Sequence, residues 1–184
     1  GQLTAGRIIL KPQNETDELT VPTLERTLGT PSYAGRLEIV EADTGLVLMN
    51  ELYLEDYLKK VVPSEMPPNY EKEALKAQAV AARTFACRQT AGGKHENADV
   101  CAQSACCQAC LTVEDLRARY GDGFEAAWDK ALAAVRETQN EVLTYEGALI
   151  DAVYFSCSGG STEDAAAVWG TDVPYLRAVE SPGE

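Results

Sequence analysis

At 184 residues and 45% apolar content, the sequence carries enough hydrophobic material for one domain with a packed core, and it is not a disordered tail. Lys and Arg total 16 against 29 Asp and Glu, a net charge of −13, with an isoelectric point near 4.5. That sign repels phosphates, which sets aside nucleic acid and anionic membranes as partners, and no apolar run approaches the roughly 20 residues needed to span a bilayer. The opening GQLTAGRIIL lacks the charged and long apolar regions of a signal peptide, and Gly1 in place of Met fits a processed or excised piece.

In chain order, the first 50 residues or so read as strands and turns. RIILKP is followed by RLEIVEADTGLVLMNELYL, where Leu37, Ile39 and Leu46, Leu48 alternate on either side of the polar EADTG turn, a hairpin pattern. From Leu54 to Val62 the spacing becomes helical, through Leu54, Tyr57, Leu58 and Val61, and Pro63 is expected to end this helix. Glu65 then falls in a short connection before a second helix from about Glu71 to Arg88, whose middle, ALKAQAVAARTFA, is small on most faces and suits close packing.

A loop from Ala91 to about Gln108 follows. Thr112 and Asp115 read as a capping box that opens a short helix closed by Gly121. Phe124, Trp128, Leu132 and Val135 mark another amphipathic helix running toward Thr138. EVLTYEGALIDAVYFS reads as a second hairpin turning at Glu146-Gly147, leading straight into the Gly/Ser turn CSGGSTED. With no internal repeat or low-complexity linker, the expected class is α+β, β-hairpins packed with several helices around a substrate cleft, in a single domain over residues 1–184.

Three groups of residues can carry chemistry. Glu65 is held between Pro63 and the pair Pro67-Pro68. A surface glutamate is usually just solvated, and one next to a helix can simply favour the dipole, yet flanking prolines also fix a carboxylate's direction, as a general acid requires. Of six cysteines, Cys101, Cys106, Cys107 and Cys110 crowd into ten residues near the only histidine, His95. The set His95, Cys101 and Cys107 suits zinc in softness and leaves a fourth position open. Cys106 or Cys110 can close such a site, and pairing as disulfides is the alternative. Finally, Tyr154 precedes Ser158-Gly159-Gly160-Ser161-Thr162; a glycine turn after a strand explains it as structure, and without a GxSxG elbow a Ser-His-Asp triad has little support.

Taken together, YAGRLEI (33–39), MNELYLEDYLKKVVPSEMP (49–67), EALKAQAVAARTFA (73–86), CQA (107–109), YFSCSGGSTED, VWG and PYLRAVESP resemble, in order, the stage II sporulation protein D (SpoIID/LytB) family of bacterial cell-wall proteins. The loop HENADVCAQSACCQAC is most similar to that of the zinc-containing clostridial members. The resemblance implies a lytic transglycosylase that cleaves the MurNAc-GlcNAc bond of peptidoglycan strands stripped of stem peptides, leaving 1,6-anhydro ends. It implies Glu65 as the single catalytic acid, held in an apolar setting that Met66 and Tyr70 would help to form. Tyr154, Ser158, Gly159 and Gly160 would bind sugar, with Gln78, Arg83 and Gln108 as second-tier contacts, Arg83 serving equally well to hold the loop before it. His95, Cys101 and Cys107 would bind zinc in a structural, cleft-shaping role. The same resemblance implies an extracytoplasmic, cell-wall-facing location, an N-terminal anchor outside this chain, amidases or other sporulation proteins as partners, and a domain continuing beyond VESPGE. A non-catalytic amidase modifier is the alternative; a zinc hydrolase has no HExxH motif to support it.

Overall fold

The structure, a computed structural model, describes residues 3–182 apart from 5, 15, 23, 25–29 and 44. Among them are eight strands: β1 (Leu3–Thr4), β2 (Arg7–Leu10), β3 (Glu18–Thr20), β4 (Ser32–Ala34), β5 (Arg36–Ala42), β6 (Gly45–Glu51), β7 (Thr144–Tyr145) and β8 (Ala148–Leu149). The α-helices are α1 (Leu54–Glu65), α2 (Lys72–Thr90), α3 (Val113–Tyr120), α4 (Phe124–Glu137) and α5 (Ala165–Trp169). The class is α+β, as the sequence predicts. Among the described residues, no helix is long and apolar enough to cross a membrane.

The N-terminal strands form an antiparallel sheet in the order β1-β2-β5-β6, with β3 and β4 paired separately. The β5–β6 hairpin sets Ile39 opposite Leu48 and Leu37 opposite Asn50. Leu37 is fully buried, whereas Leu46 is 77% exposed near the hairpin tip, so only part of the expected apolar face points inward. Thr44 of that tip lies outside the described residues. Gly35 permits the β4–β5 corner: its φ is 76°, and a Cβ there would sit 2.4 Å from the Glu51 carbonyl oxygen.

The core lies where three helices meet. Leu58, Val61 and Val62 of α1, Leu75, Ala79 and Ala82 of α2, and Ala131, Ala134 and Val135 of α4 bury one another. The alanines of α2 are the small face seen in the sequence, and they let the helix backbones approach closely. The Thr112–Asp115 capping box is present at the start of α3, with Gly121 after its end. Helix α4 begins and ends where the sequence places it, with Thr138 as its C-cap.

Two boundaries differ from expectation. Helix α1 does not stop at Pro63 but runs through it to Glu65. A proline two residues from a helix end removes a single ladder hydrogen bond, and α3 satisfies the last carbonyls from outside. Tyr120 donates its hydroxyl to the Pro63 carbonyl, and Arg119 Nη1 donates to that of Ser64 at 2.9 Å. The β7–β8 hairpin does turn at Glu146-Gly147, both with positive φ (50° and 82°), but each strand is only two residues long. The hairpin is tied to α2 at both ends instead: Arg88 donates to the Leu149 carbonyl at 2.9 Å, and the Leu143 amide donates to Thr84 Oγ1 at 2.9 Å. Residues 150–156 reach the far side of the Glu65 cleft by this route.

Candidate active site

Glu65 ends α1 half-buried at one edge of a cleft of about 490 Å³, lined also by Gln78, Phe85, Ser104, Cys107, Ala152, Val153, Tyr154, Phe155 and Ser156. Among the described residues it is the only carboxylate in that lining. Its Oε1 accepts the Ala109 amide hydrogen, and the neighbouring Ser64 Oγ accepts that of Leu111 at 3.0 Å while donating to the Lys60 carbonyl. The carboxylate is therefore directed by backbone groups 44 residues away and by the α3 clamp on Pro63 and Ser64, rather than by its flanking prolines alone. Nothing local in the sequence marks Ser64, Tyr120 or Arg119 for this task. The apolar part of the setting comes from Phe85, Val153 and Phe155 in the cleft wall; Tyr70 is 46% exposed and lies outside the lining.

Across the cleft, Tyr154 sits at the end of a buried relay. Tyr57 donates its hydroxyl to Gln108 Oε1 at 3.1 Å, and Gln108 Nε2 donates to the Tyr154 hydroxyl oxygen at 3.1 Å. Burial, followed by the charge of Glu65, pushes the Tyr154 hydroxyl up to about 12; burial likewise raises Tyr57 far above its ordinary value. Both tyrosines are neutral donors at any physiological pH. Gln108 is fully buried, so it orients Tyr154 and does not face a ligand. Gln78, 7% exposed, lines the cleft, and its side chain acts on the Tyr154 hydroxyl, partly opposing the upward effect of burial.

Arg83 is placed elsewhere. It is 1% exposed, with Nε and Nη2 on the two Glu55 oxygens at 2.8 and 2.9 Å, and its remaining hydrogens on Val135 O, Thr138 Oγ1 and Glu141 O. All five donors serve the joint between α1, α2 and the end of α4, which removes Arg83 from the ligand contacts expected of it. The Ser158-Gly159-Gly160 turn also lies outside the cleft lining. Gly159 and Gly160 have φ of 70° and 104° with open space beside each, and the turn is tied to the C-terminal segment by Ser181 N donating to Gly160 O at 2.9 Å.

The loop between α2 and α3 gathers His95, Cys101, Cys106 and Cys107, whose ligand atoms all lie within 4.8 Å of one another. No disulfide forms among the cysteines. Burial raises the Cys107 thiol, and neighbouring thiols add to this. For Cys101 burial also acts upward but is outweighed by the Gln103 backbone hydrogen bond, the adjacent thiols and the Lys94 charge, so its thiol is lowered. Cys110 is not in this group and packs on the helical core with Leu54, Tyr57 and Met66. Three thiols and an imidazole at this spacing can hold a metal ion. Because Cys107 also lines the Glu65 cleft, the cluster, Glu65 and Tyr154 meet in one place.

Residues 42–145 match the SpoIID family model, described as stage II sporulation protein, and the chain belongs to that family. It is 34% identical over 172 residues to stage II sporulation protein D of Bacillus subtilis (strain 168), covering 91% of this chain and 50% of the relative. The corresponding protein of Bacillus amyloliquefaciens is 39% identical over 132 residues, 70% of this chain and 38% of the relative. An amidase enhancer of Bacillus subtilis (strain 168) is 39% identical over 121 residues, 66% of this chain and 14% of the relative. The chain thus spans half or less of the length of these relatives.

Proposed function

We propose that this chain is a peptidoglycan lytic transglycosylase domain, acting outside the cytoplasm in the wall remodelling of sporulation and using Glu65 as both acid and base. The supporting observation is that Glu65 is the single carboxylate in the cleft lining. A glycoside hydrolase places a second carboxylate there to activate water or attack the sugar; a transglycosylase has no need of one. The Ala109 amide donates to Oε1 and so holds the carboxyl group in place for proton transfer. Its proton passes to the glycosidic oxygen as the MurNAc C1–O bond breaks and positive charge develops at C1. The resulting carboxylate then takes the proton of the sugar's own C6 hydroxyl, whose oxygen bonds to C1 and closes the 1,6-anhydro ring. Tyr154 and Gln78 supply neutral donors along the strand, and Phe155, 63% exposed, offers an apolar face to a sugar ring.

The donor set favours zinc, which His95, Cys101 and Cys107 would hold; when bound, it cross-links the loop that shapes the cleft. Partner proteins such as amidases belong to the same reading. The amidase-enhancer relative also favours a second one, in which the domain binds wall material and modulates another enzyme. Incubation with glycan strands stripped of stem peptides, followed by mass spectrometry, separates the two. Anhydro ends are expected from the wild type, with Glu65→Gln slower by about 10²–10⁴-fold. Water-terminated ends, or undiminished turnover in Glu65→Gln, would overturn the single-acid mechanism; strand binding without cleavage would establish the modulator.

A further inference from the structure

Residues 91–112 contain no helix or strand, and most side chains from Ala91 to Ala105 are exposed or half-buried. Ordering such a loop is entropically unfavourable, and little apolar burial is present to offset it. Yet its last residues meet the cleft with fixed geometry: Gln108 holds Tyr154, the Ala109 amide holds Glu65, and the Leu111 amide holds Ser64. Something must fix Cys107 immediately before them.

We infer that Cys106 is a fourth metal ligand and that the cluster is a closed His-Cys₃ site, fully coordinated by protein, which latches the loop onto Glu65. The inference rests on the zinc reading above and adds the fourth donor and the closure.

In a tetrahedral zinc site, bond lengths of about 2.3 Å to sulfur and about 2.0 Å to nitrogen place ligand atoms roughly 3.5–3.8 Å apart. His95 Nε2 lies 3.2 Å from Cys107 Sγ and 3.6 Å from Cys106 Sγ, so both thiols stand at ligand separation from the imidazole. Adjacent cysteines can share one ion here because the chain turns beneath them: the Cys106 and Cys107 amides both donate to the Gln103 carbonyl, at 3.0 and 2.8 Å. Charge points the same way. A dication with three thiolates and a neutral imidazole carries one net negative charge, and Lys94, whose ammonium donates to the Cys106 carbonyl, stands beside it. Cys110, placed in the helical core, is not available. A saturated site leaves no position for a water or a sugar, so the metal acts on catalysis only through the latch.

Cobalt(II) titration of the metal-free, reduced protein tests this. The wild type is expected to bind one cobalt with tetrahedral d–d bands and thiolate charge-transfer intensity that falls by about a third in Cys106→Ser and stays unchanged in Cys110→Ser. Added azide should leave the wild-type spectrum unaltered and shift that of Cys106→Ser, whose affinity falls on the order of 10–100-fold or more. Hydrogen exchange at Ala109 and Leu111 should quicken when the metal is removed. Equal charge-transfer intensity in wild type and Cys106→Ser, or a wild-type spectrum that responds to azide, would show an open three-ligand site and overturn the inference while leaving the zinc reading intact. If no cobalt or zinc binds, both fall together.

Discussion

The two walls that meet at Glu65 are built on different physics. The helical wall, α1 with α2 and α4, is held by burial, with Leu58, Val61, Val62, Leu75 and Ala79 and Ala82 of α2 at or near complete burial. The loop wall, from Ala91 to Thr112, has no regular structure and little core of its own, and it gathers the His95, Cys101, Cys106 and Cys107 ligand atoms within 4.8 Å of one another. Glu65 belongs to the first wall and takes its direction from the second, through the Ala109 amide. A packed helix can place a carboxylate at the edge of a cleft; aiming it required a contact from a segment that packing alone does not order.

The comparison can be broken from either side. The largest effect on the helical wall is expected from Arg83→Met: removing one partner of the buried Arg83–Glu55 pair should lower unfolding stability by about 3–5 kcal/mol, read by urea denaturation. A loss under about 1 kcal/mol would mean that the joint is held by apolar packing alone. On the loop wall, chelating the proposed zinc should leave the far-ultraviolet circular dichroism of the helices intact while the proposed glycan cleavage drops on the order of 10–100-fold. If the helical signal collapses as well, the two walls do not have separate supports.

Tyr154→Phe probes the seam between them. It keeps the ring but deletes the hydroxyl that accepts from Gln108, and turnover should fall roughly 10-fold, the worth of one hydrogen bond; an unchanged rate would relegate the relay to structure. The smallest effect at neutral pH is that of pH itself. Burial raises Tyr154, Tyr57 and Tyr120 in the fold, so what they contribute is complete below the ordinary tyrosine value near 10 and is lost as pH rises through their folded values. The tyrosine contribution should stay flat through neutral pH and decline only above about pH 10, read as the difference in thermal melts between wild type and Tyr154→Phe across the alkaline range.

Much of this was legible in the chain because it depends on near neighbours. The alternation of Leu37, Ile39 and Leu48, the Thr112–Asp115 box and the Glu146-Gly147 turn each settle a local backbone choice, and each is present in the fold. Glu65, Gln78 and Tyr154 were named from their motifs and line one cleft. The misreadings share a cause. Pro63 was expected to stop α1, but Tyr120 and Arg119, 57 and 55 residues away in sequence from the carbonyls they bind, sustain its last turn. Arg83 and Gln108 have the look of ligand contacts, since polar side chains in a motif give no sign of which way they face; burial turned both inward.

By itself the sequence determined the helices, the hairpins and the set of side chains able to do chemistry, since capping, turn formation and apolar period are short-range properties of the chain. Only the tertiary structure decided which one of 29 acidic residues stands alone in a cleft, and which thiols gather around His95 while Cys110 joins the core. Those outcomes depend on groups tens of residues apart being brought within hydrogen-bonding or ligand distance, and spacing along a chain does not encode distance across a fold.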